Sequence, residues 1–308
     1  MLQRVIMPEV TEVKKYTDFL KNKMQNKELK ELNILNGRYK KHGPFPLYKE
    51  LVKELPLKVL DVKNKGKFMY IILEKNFIIF STLGLSGGWI YLSNKSSKYK
   101  FPLLVDYLGD YDIKKYKKNA LNHLNVEFKL EKGSIYYFDV LSFGTLKVVN
   151  NNLNLEKKLK SLAYDIMDLD ITYDIFKDQI TKKNNLDKPI GNVLMNQKVI
   201  SGIGNYLRAD ILWLSGVYPF CKVKDLKEKE LKSIYDNSIL LTWGEYNFTE
   251  AVRLKLIDAK SKMPKDYGRN FFIYKQDYDI YGNKVLKEEL YEGSQKRFIY
   301  FVKKIQKA

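Results

Sequence analysis

The density of short β-forming runs in the first half of the chain limits the fold more than any other feature. Lys58–Val62, Lys67–Leu73, Phe77–Leu83, Trp89–Leu92, Asn125–Leu130, Ser134–Leu141 and Gly144–Val149 are rich in Val, Ile, Tyr and Phe, with Gly, Asn and Pro between them. Runs this short and this closely spaced predict an all-β sandwich rather than alternating βαβ units. Ahead of them, Val10, Val13, Tyr16, Leu20 and Met24 fall three or four apart, the spacing of an amphipathic helix. Pro8 suits its start, where a missing N–H costs nothing.

The pattern then changes. Asn150–Asn154 reads as a polar linker, and the apolar spacing beyond it is helical over Leu155–Leu162, Tyr173–Ile180, Gly191–Val199, Asn205–Ser215, Lys227–Trp243 and Thr249–Lys260. From Phe271 to Ile305 the chain returns to β-like alternation, with Tyr281–Lys284 expected as the turn between two strands. The expected fold class is therefore α+β. A β-sandwich with its N-terminal helix occupies residues 7–149, a helical domain 150–265 and a β-hairpin 266–308.

A net charge of +19 over 308 residues makes polyanions, and nucleic acid above all, the expected partner class. One cysteine, Cys221, and two histidines, His42 and His123, allow neither a disulfide framework nor a Cys/His zinc site within the chain. No metal and no small-molecule cofactor are expected, and a reducing intracellular compartment fits. No apolar run approaches the roughly 20 residues that cross a bilayer, so no membrane partner is expected.

One turn is conspicuous for its glycine cost. In Ser201-Gly202-Ile203-Gly204-Asn205, Gly202 and Gly204 let the backbone bend tightly and approach a ligand, and the helix that follows presents unpaired N–H groups. Asn205 adds a side-chain amide. A DNA phosphate is a natural occupant of such an anion seat; an ordinary helix–turn–helix corner with a glycine cap is the other reading, and these residues alone leave both open.

The whole stretch Pro189–Trp213 resembles, without a gap, the helix-two-turns-helix of the formamidopyrimidine-DNA glycosylase/endonuclease VIII family. Met7-Pro8-Glu9-Val10-Thr11-Glu12-Val13 is similar to the start of those enzymes. The resemblance implies that Pro8 becomes the free amino terminus and attacks the anomeric carbon of a damaged nucleoside, giving an iminium. Glu9 would be the acid that protonates the sugar ring oxygen. Here Met1–Ile6 precede Met7, and a proline nitrogen within a peptide bond is no nucleophile, so initiation at Met7 with removal of that methionine is expected.

The resemblance extends to further residues. Lys67, in Lys65-Gly66-Lys67-Phe68, matches a lysine that contacts the lesion's phosphate and assists catalysis. Leu85, in Leu83–Trp89, lies in a segment resembling the loop that fills the space of an extruded base. Asp139–Gly144 matches a second void-filling loop at Asp139, Phe143 and Gly144, but Leu141 and Ser142 stand where the family commonly carries two arginines. The tail resembles the family's zinc finger without zinc: Arg297 is followed by Val302 and Ile305 in place of cysteines, as in the zincless-finger Nei-like subgroup of animals and giant DNA viruses.

Taken together, the resemblance implies a monomeric bifunctional DNA glycosylase and abasic-site lyase of base excision repair. Its substrates would be damaged DNA carrying oxidised pyrimidines or ring-opened or hydantoin purines, cleaved by β,δ-elimination. A catalytically inactive DNA-binding paralogue is the alternative, for which Met1–Ile6 and the lost arginines speak. A ribosome-associated RNA-binding protein would rest on the helix-two-turns-helix alone.

Overall fold

The computed structural model describes residues 8–95, 98–100, 111–112, 123–264, 267–268, 270–292 and 295–307. The expected start at Met7 lies outside the described residues. The chain forms two compact units. One holds Pro8 together with the described residues of Glu12–Lys160, the other Glu9–Thr11 and the described residues from Ser161 onward.

The first unit is a sandwich of two antiparallel sheets. Strands β1 (Glu28–Leu29), β3 (Leu57–Lys65), β4 (Phe68–Leu73), β5 (Ile78–Thr82) and β11 (Thr145–Val149) make one sheet in the order β1-β3-β4-β5-β11. The other runs β2-β9-β10-β6-β7-β8, from β2 (Glu31–Ile34), β6 (Gly87–Ser93), β7 (Lys98–Lys100), β8 (Tyr111–Asp112), β9 (Leu124–Leu130) and β10 (Gly133–Asp139). Alternation along the strands sends Val59, Ile71, Trp89, Phe128, Tyr137 and Val148 into one core. Helix α1 (Val10–Met24) adds Val13, Tyr16, Leu20 and Met24 to it at the expected spacing. Every strand run expected between Lys58 and Val149 is present. The short β1 and β2 and the helices α2 (Gly37–His42) and α3 (Tyr48–Glu54) are additions, each too brief to show a period in sequence.

Asn150–Asn154 is not a plain linker. Helix α4 (Asn152–Lys160) begins within it, because Asn151 Oδ1 accepts the Leu153 N–H at 2.6 Å. An asparagine that starts a helix and one that loops are alike in composition.

The second unit contains helices α5 (Tyr173–Ile180), α6 (Ile190–Met195), α7 (Asn205–Leu214) and α8 (Glu228–Arg253), followed by strands β12 (Leu286–Glu292) and β13 (Gln295–Phe301). Its core gathers Val10, Phe176, Leu194, Ile203, Leu207, Ile211 and Trp213 with Ile299, Phe301 and Val302 from the tail. The segments expected as Lys227–Trp243 and Thr249–Lys260 are largely one helix, α8, kinked at Asn247 (φ −162°, ψ 94°), whose Oδ1 recaps the Glu250 N–H at 3.1 Å.

The tail hairpin is corrected in register. Residues 271–276 form no strand, and the paired strands are β12 and β13, with Leu290 opposite Arg297. Tyr281–Lys284 instead belongs to a separate turn built on Asp279. One carboxylate oxygen of Asp279 accepts the N–H groups of Tyr281 (2.9 Å) and Asn283 (2.8 Å), and the other accepts Asn283 Nδ2 (3.0 Å) and Trp213 Nε1 (3.3 Å). Helix α4 goes with the sandwich unit, and the tail belongs to the helical unit. Among the described residues no helix is long and apolar enough to cross a membrane.

Candidate active site and nucleic-acid interface

Within the helical unit the glycine turn already holds an anion, and it is the chain's own. The Glu9 carboxylate is fully buried at the N-terminus of α7, where Oε2 accepts the N–H groups of Gly204 (2.6 Å) and Leu207 (3.3 Å) and Oε1 that of Tyr206 (2.9 Å). The N–H groups that the sequence offers to an anion thus meet a side chain of the same chain. A carboxylate tethered by the backbone fills the seat, and the positive end of the helix dipole complements it. The Gly202 N–H is also engaged, donating to Gln197 Oε1 at 2.9 Å, while Gln197 Nε2 donates to the carbonyls of Ile203 (2.8 Å) and Met195 (2.9 Å).

Gly202 is required for two reasons. Its φ of +111° disfavours a side chain, and a Cβ would stand 2.9 Å from Val10 Cβ and 3.1 Å from Ile166 Cγ2. That closeness lets the Val10 N–H donate to the Gly202 carbonyl at 3.2 Å, which aligns Glu9 with the helix end. Pro8, the residue before Glu9, is buried as well.

Asn205 opens α7, and its Oδ1 accepts from Arg208 Nη2 one turn on; its amide also bonds the Tyr274 hydroxyl. Arg208 is 1% exposed, and its guanidinium donates further to the carbonyls of Gly191 (3.1 Å) and Phe298 (3.1 Å). Phe298 follows Arg297 on β13. A single buried cation therefore ties Asn205 to the strand that carries Arg297, so two residues distant in sequence share one support. The Arg208 side chain is not among the residues the sequence reading singled out. Two charges, Arg208 and Asp210, inside the otherwise apolar run Tyr206–Trp213 are the signal that points to it.

Asp210, also buried, organises the chain before the hairpin. Its carboxylate accepts the N–H groups of Phe272 (3.0 Å), Ile273 (3.0 Å) and Tyr274 (3.3 Å). Burial pushes its pKa up to about 6 despite those bonds. Burial likewise raises the Tyr274 hydroxyl to about 12, so it stays protonated, although the bond it accepts from the Asn205 amide pulls the other way.

The sandwich unit carries the other expected residues. Lys67 is half-buried in the turn Gly66–Lys67 between β3 and β4, where Gly66 has φ +53°. Leu85 is half-buried at the tip of the turn joining β5 to β6. Phe143 lies on the loop between β10 and β11 and is 60% exposed, with Leu141 beside it at 50%. The two loops are fastened together. Ser86 Oγ donates to Asp139 Oδ1 at 2.5 Å and accepts the Leu141 N–H at 2.8 Å, and Asp139 Oδ2 accepts the Gly144 N–H at 2.7 Å. A Cβ on Gly84 would stand 2.5 Å from the Gly144 nitrogen, so the turns touch backbone to backbone. Among the described residues no group of three or more His, Cys, Asp and Glu could hold a metal ion.

A β-sandwich, a helix-two-turns-helix closed on an N-terminal glutamate and a β-hairpin together define the fold of a DNA glycosylase. Residues 7–146 match the formamidopyrimidine-DNA glycosylase N-terminal domain, and residues 162–242 match the H2TH domain of formamidopyrimidine-DNA glycosylase. The formamidopyrimidine-DNA glycosylase of Mycoplasmopsis pulmonis is 30% identical over 237 residues, covering 76% of this chain and 74% of the relative. That of Mycoplasma genitalium is 28% identical over 234 residues, 75% and 72% of the two chains. In fold, the Lactococcus lactis formamidopyrimidine-DNA glycosylase bound to abasic-site DNA superposes with a TM-score of 0.70 at 17% identity, over 98% of this chain and 100% of that one. The chain belongs to the formamidopyrimidine-DNA glycosylase family, a family of DNA-repair enzymes.

Proposed function

We propose that the protein is a bifunctional DNA glycosylase and abasic-site lyase that removes oxidised bases through an iminium on Pro8. The observation that carries the reading is the Glu9 carboxylate, held by three backbone N–H groups at the start of α7 in the residue next to Pro8. With the chain beginning at Pro8, the secondary amine would attack C1′ of the damaged nucleoside and the base would leave with the glycosidic electron pair. The Pro8 nitrogen would pass its proton to the Glu9 carboxylate, and Glu9, as the acid, would donate that proton to the ring oxygen as the sugar opens to the iminium. Loss of a C2′ proton then breaks the C3′–O bond, and a second elimination frees the 5′ phosphate. Oxidised pyrimidines and ring-opened or hydantoin purines are the proposed substrates.

In this reading Lys67, Asn205 and Arg297 take DNA phosphates, which position the duplex without reading its sequence. Leu85 and Phe143 fill the space of the extruded base. Gly202 and Gly204 serve by seating Glu9 rather than by meeting DNA themselves. The tail acts as a zincless finger of the Nei-like kind: the Asp279 turn and the buried Ile299, Phe301 and Val302 do what metal–thiolate bonds would do, in a chain with one cysteine. The protein acts as a monomer in a reducing intracellular compartment.

Borohydride reduces an iminium, so protein that begins at Pro8 should form a covalent complex with lesion-containing DNA, and protein that begins at Met1 should not. Equal trapping by both forms would assign the nucleophile to a lysine and end the Pro8 mechanism.

A further inference from the structure

A buried carboxylate fixes an exposed ring at the C-terminal end of α7. One oxygen of Asp279 accepts Trp213 Nε1 at 3.3 Å and the other the Tyr281 N–H at 2.9 Å, so the indole and the residue that covers it are held by the same group. The Tyr281 ring lies on Trp213 with centroids 5.8 Å apart and an angle of 29° between the planes, and Trp213 lies in turn on Phe272 at 5.1 Å and 23°. Three flat groups thus form one pile. Phe272 and Trp213 are buried, whereas Tyr281 is 72% exposed although one of its faces is covered, so its other face is open to solvent. A Cβ on the neighbouring Gly282 would meet nothing within 4 Å, so no other segment crowds the turn beside the ring. Exposed Lys275 and Lys284 stand at the two ends of this turn, against one exposed acid, Asp277.

We propose that the open face of Tyr281 is a stacking site for an unpaired nucleobase, with Lys275 and Lys284 taking the phosphates on either side, so that this turn binds single-stranded DNA. The pile selects the shape of the ligand, because aromatic faces prefer offset stacking on another flat group. Its outermost ring is already ordered by Asp279, so little freedom is lost on binding. Charge selects the kind of ligand. The flat guanidinium of a partner protein would meet Lys275 and Lys284 as like charges, whereas a nucleotide brings its ring together with an anion. The Asp279 charge is engaged by N–H donors from Trp213, Tyr281 and Asn283 and opposes this little. A duplex does not suit the site, since its bases cover one another and only an unpaired base shows a face. Trp213 lies eight residues beyond Asn205 on α7, about 12 Å along the axis at the rise of a helix, so this site is distinct from the end of α7 that seats Glu9. It does not rest on the Pro8 mechanism.

The test measures, by fluorescence anisotropy, the binding of labelled oligothymidylate and of a blunt undamaged duplex of the same length. Wild type, Tyr281→Ala, Tyr281→Phe, Tyr281→Trp and Lys284→Ala are compared, each with its melting temperature. Tyr281→Ala keeps the N–H that Asp279 accepts and should weaken oligothymidylate binding about fivefold to a hundredfold, the worth of one base stacked on an aromatic side chain, while the duplex is bound as before. Tyr281→Phe keeps the ring and should match wild type, and Tyr281→Trp, with a wider face, should match or exceed it. Lys284→Ala should weaken oligothymidylate binding and lower the slope of its salt dependence by about 0.7, the value for one phosphate contact on a single strand. No loss in Tyr281→Ala, an equal loss in Tyr281→Phe, or an equal loss for oligothymidylate and duplex would overturn the proposal, as would a wild type that does not bind oligothymidylate. If the alanine variant melts early, Tyr281→Trp decides, because weaker binding than wild type there would also overturn it. Tighter binding of a peptide alternating Glu and Trp, lost equally in Tyr281→Ala, would assign the face to an acidic protein segment and end the nucleic-acid proposal. Borohydride trapping tests the glycosylase reading separately, and its outcome is independent of these.

Discussion

Asp139, Asp279, Glu9 and Asp210 each accept backbone N–H groups that hold loops in place, and they fall into two pairs. Asp139 and Asp279 collect N–H groups from residues two to five places further on. Glu9 and Asp210 collect theirs across the chain, Glu9 from Gly204, Tyr206 and Leu207, and Asp210 from Phe272, Ile273 and Tyr274. The distant pair is fully buried, whereas Asp139 keeps 2% and Asp279 6% of its surface exposed, and the depth of burial decides the electrostatics. For Asp279, burial raises the pKa, but the bonds from Asn283, Tyr281 and Trp213 outweigh it and hold the group below the ordinary aspartate value. For Asp210 a similar set of bonds loses to burial, and the group rises to about 6. Equal hydrogen bonding thus gives opposite signs, because removing the last water from a charge costs more than two or three amide donors return.

The comparison can be broken most severely at Glu9. Replacing it by Gln keeps the shape but sets an amide against the donors at the end of α7, and removes the acid from the proposed reaction. Lesion excision should fall by about 10²- to 10⁴-fold, the range for one general acid. Stability should also fall by about 1–3 kcal/mol, the cost of buried donors left without an acceptor. Single-turnover excision and urea unfolding measure the two separately. An unchanged excision rate would make Glu9 a structural cap only.

Asp210 sharpens the comparison through pH. Its folded pKa of about 6 lies above the reference value of 3.8, so between those values the folded state binds the extra proton. Its contribution to stability should therefore grow as the pH falls from about 6 towards 4, by on the order of 3 kcal/mol in all. Asp279 has the opposite sign: its contribution is present above its reference value of 3.8 and is lost as the pH falls further, through its depressed folded pKa. Urea unfolding between pH 7 and 4, wild type against Asp210→Asn, isolates the first effect. Parallel profiles for the two proteins would mean that Asp210 titrates normally.

The smallest effect is expected at the local pair. Asp279→Ala should cost about 1–2 kcal/mol, since the N–H groups it frees lie near water and find partners there. A strong chelator should change neither the melting temperature nor lesion excision in wild type or variant. Loss of activity on chelation would overturn the zincless reading of the tail, and a cost as large as that at Glu9 would erase the distinction between the two pairs.

Much of the architecture was legible. The strand runs from Lys58 to Val149, the spacing of Val10, Val13, Tyr16, Leu20 and Met24, and the glycine turn before Asn205 each express a local rule of period or backbone geometry. Asp279 before Tyr281-Gly282-Asn283 is a local turn signature too, although the strand register around it was misplaced, because β12 is rich in Glu and Lys and lacks the expected β-branched pattern. Of the candidate site, the glycine turn Ser201–Asn205 stands out in the sequence by its backbone chemistry.

What it could not determine was who fills the seat. A turn that offers N–H groups announces an anion, but a phosphate and the carboxylate of Glu9, almost two hundred residues earlier, satisfy it equally by type. The same holds for Arg208 beneath Asn205 and Arg297. Local propensity is set by neighbours along the chain and is written in the order of residues. The partner of a buried charge is set by which distant segments the folded core brings within about 3 Å, the reach of a hydrogen bond, and that is decided only when the tertiary structure closes.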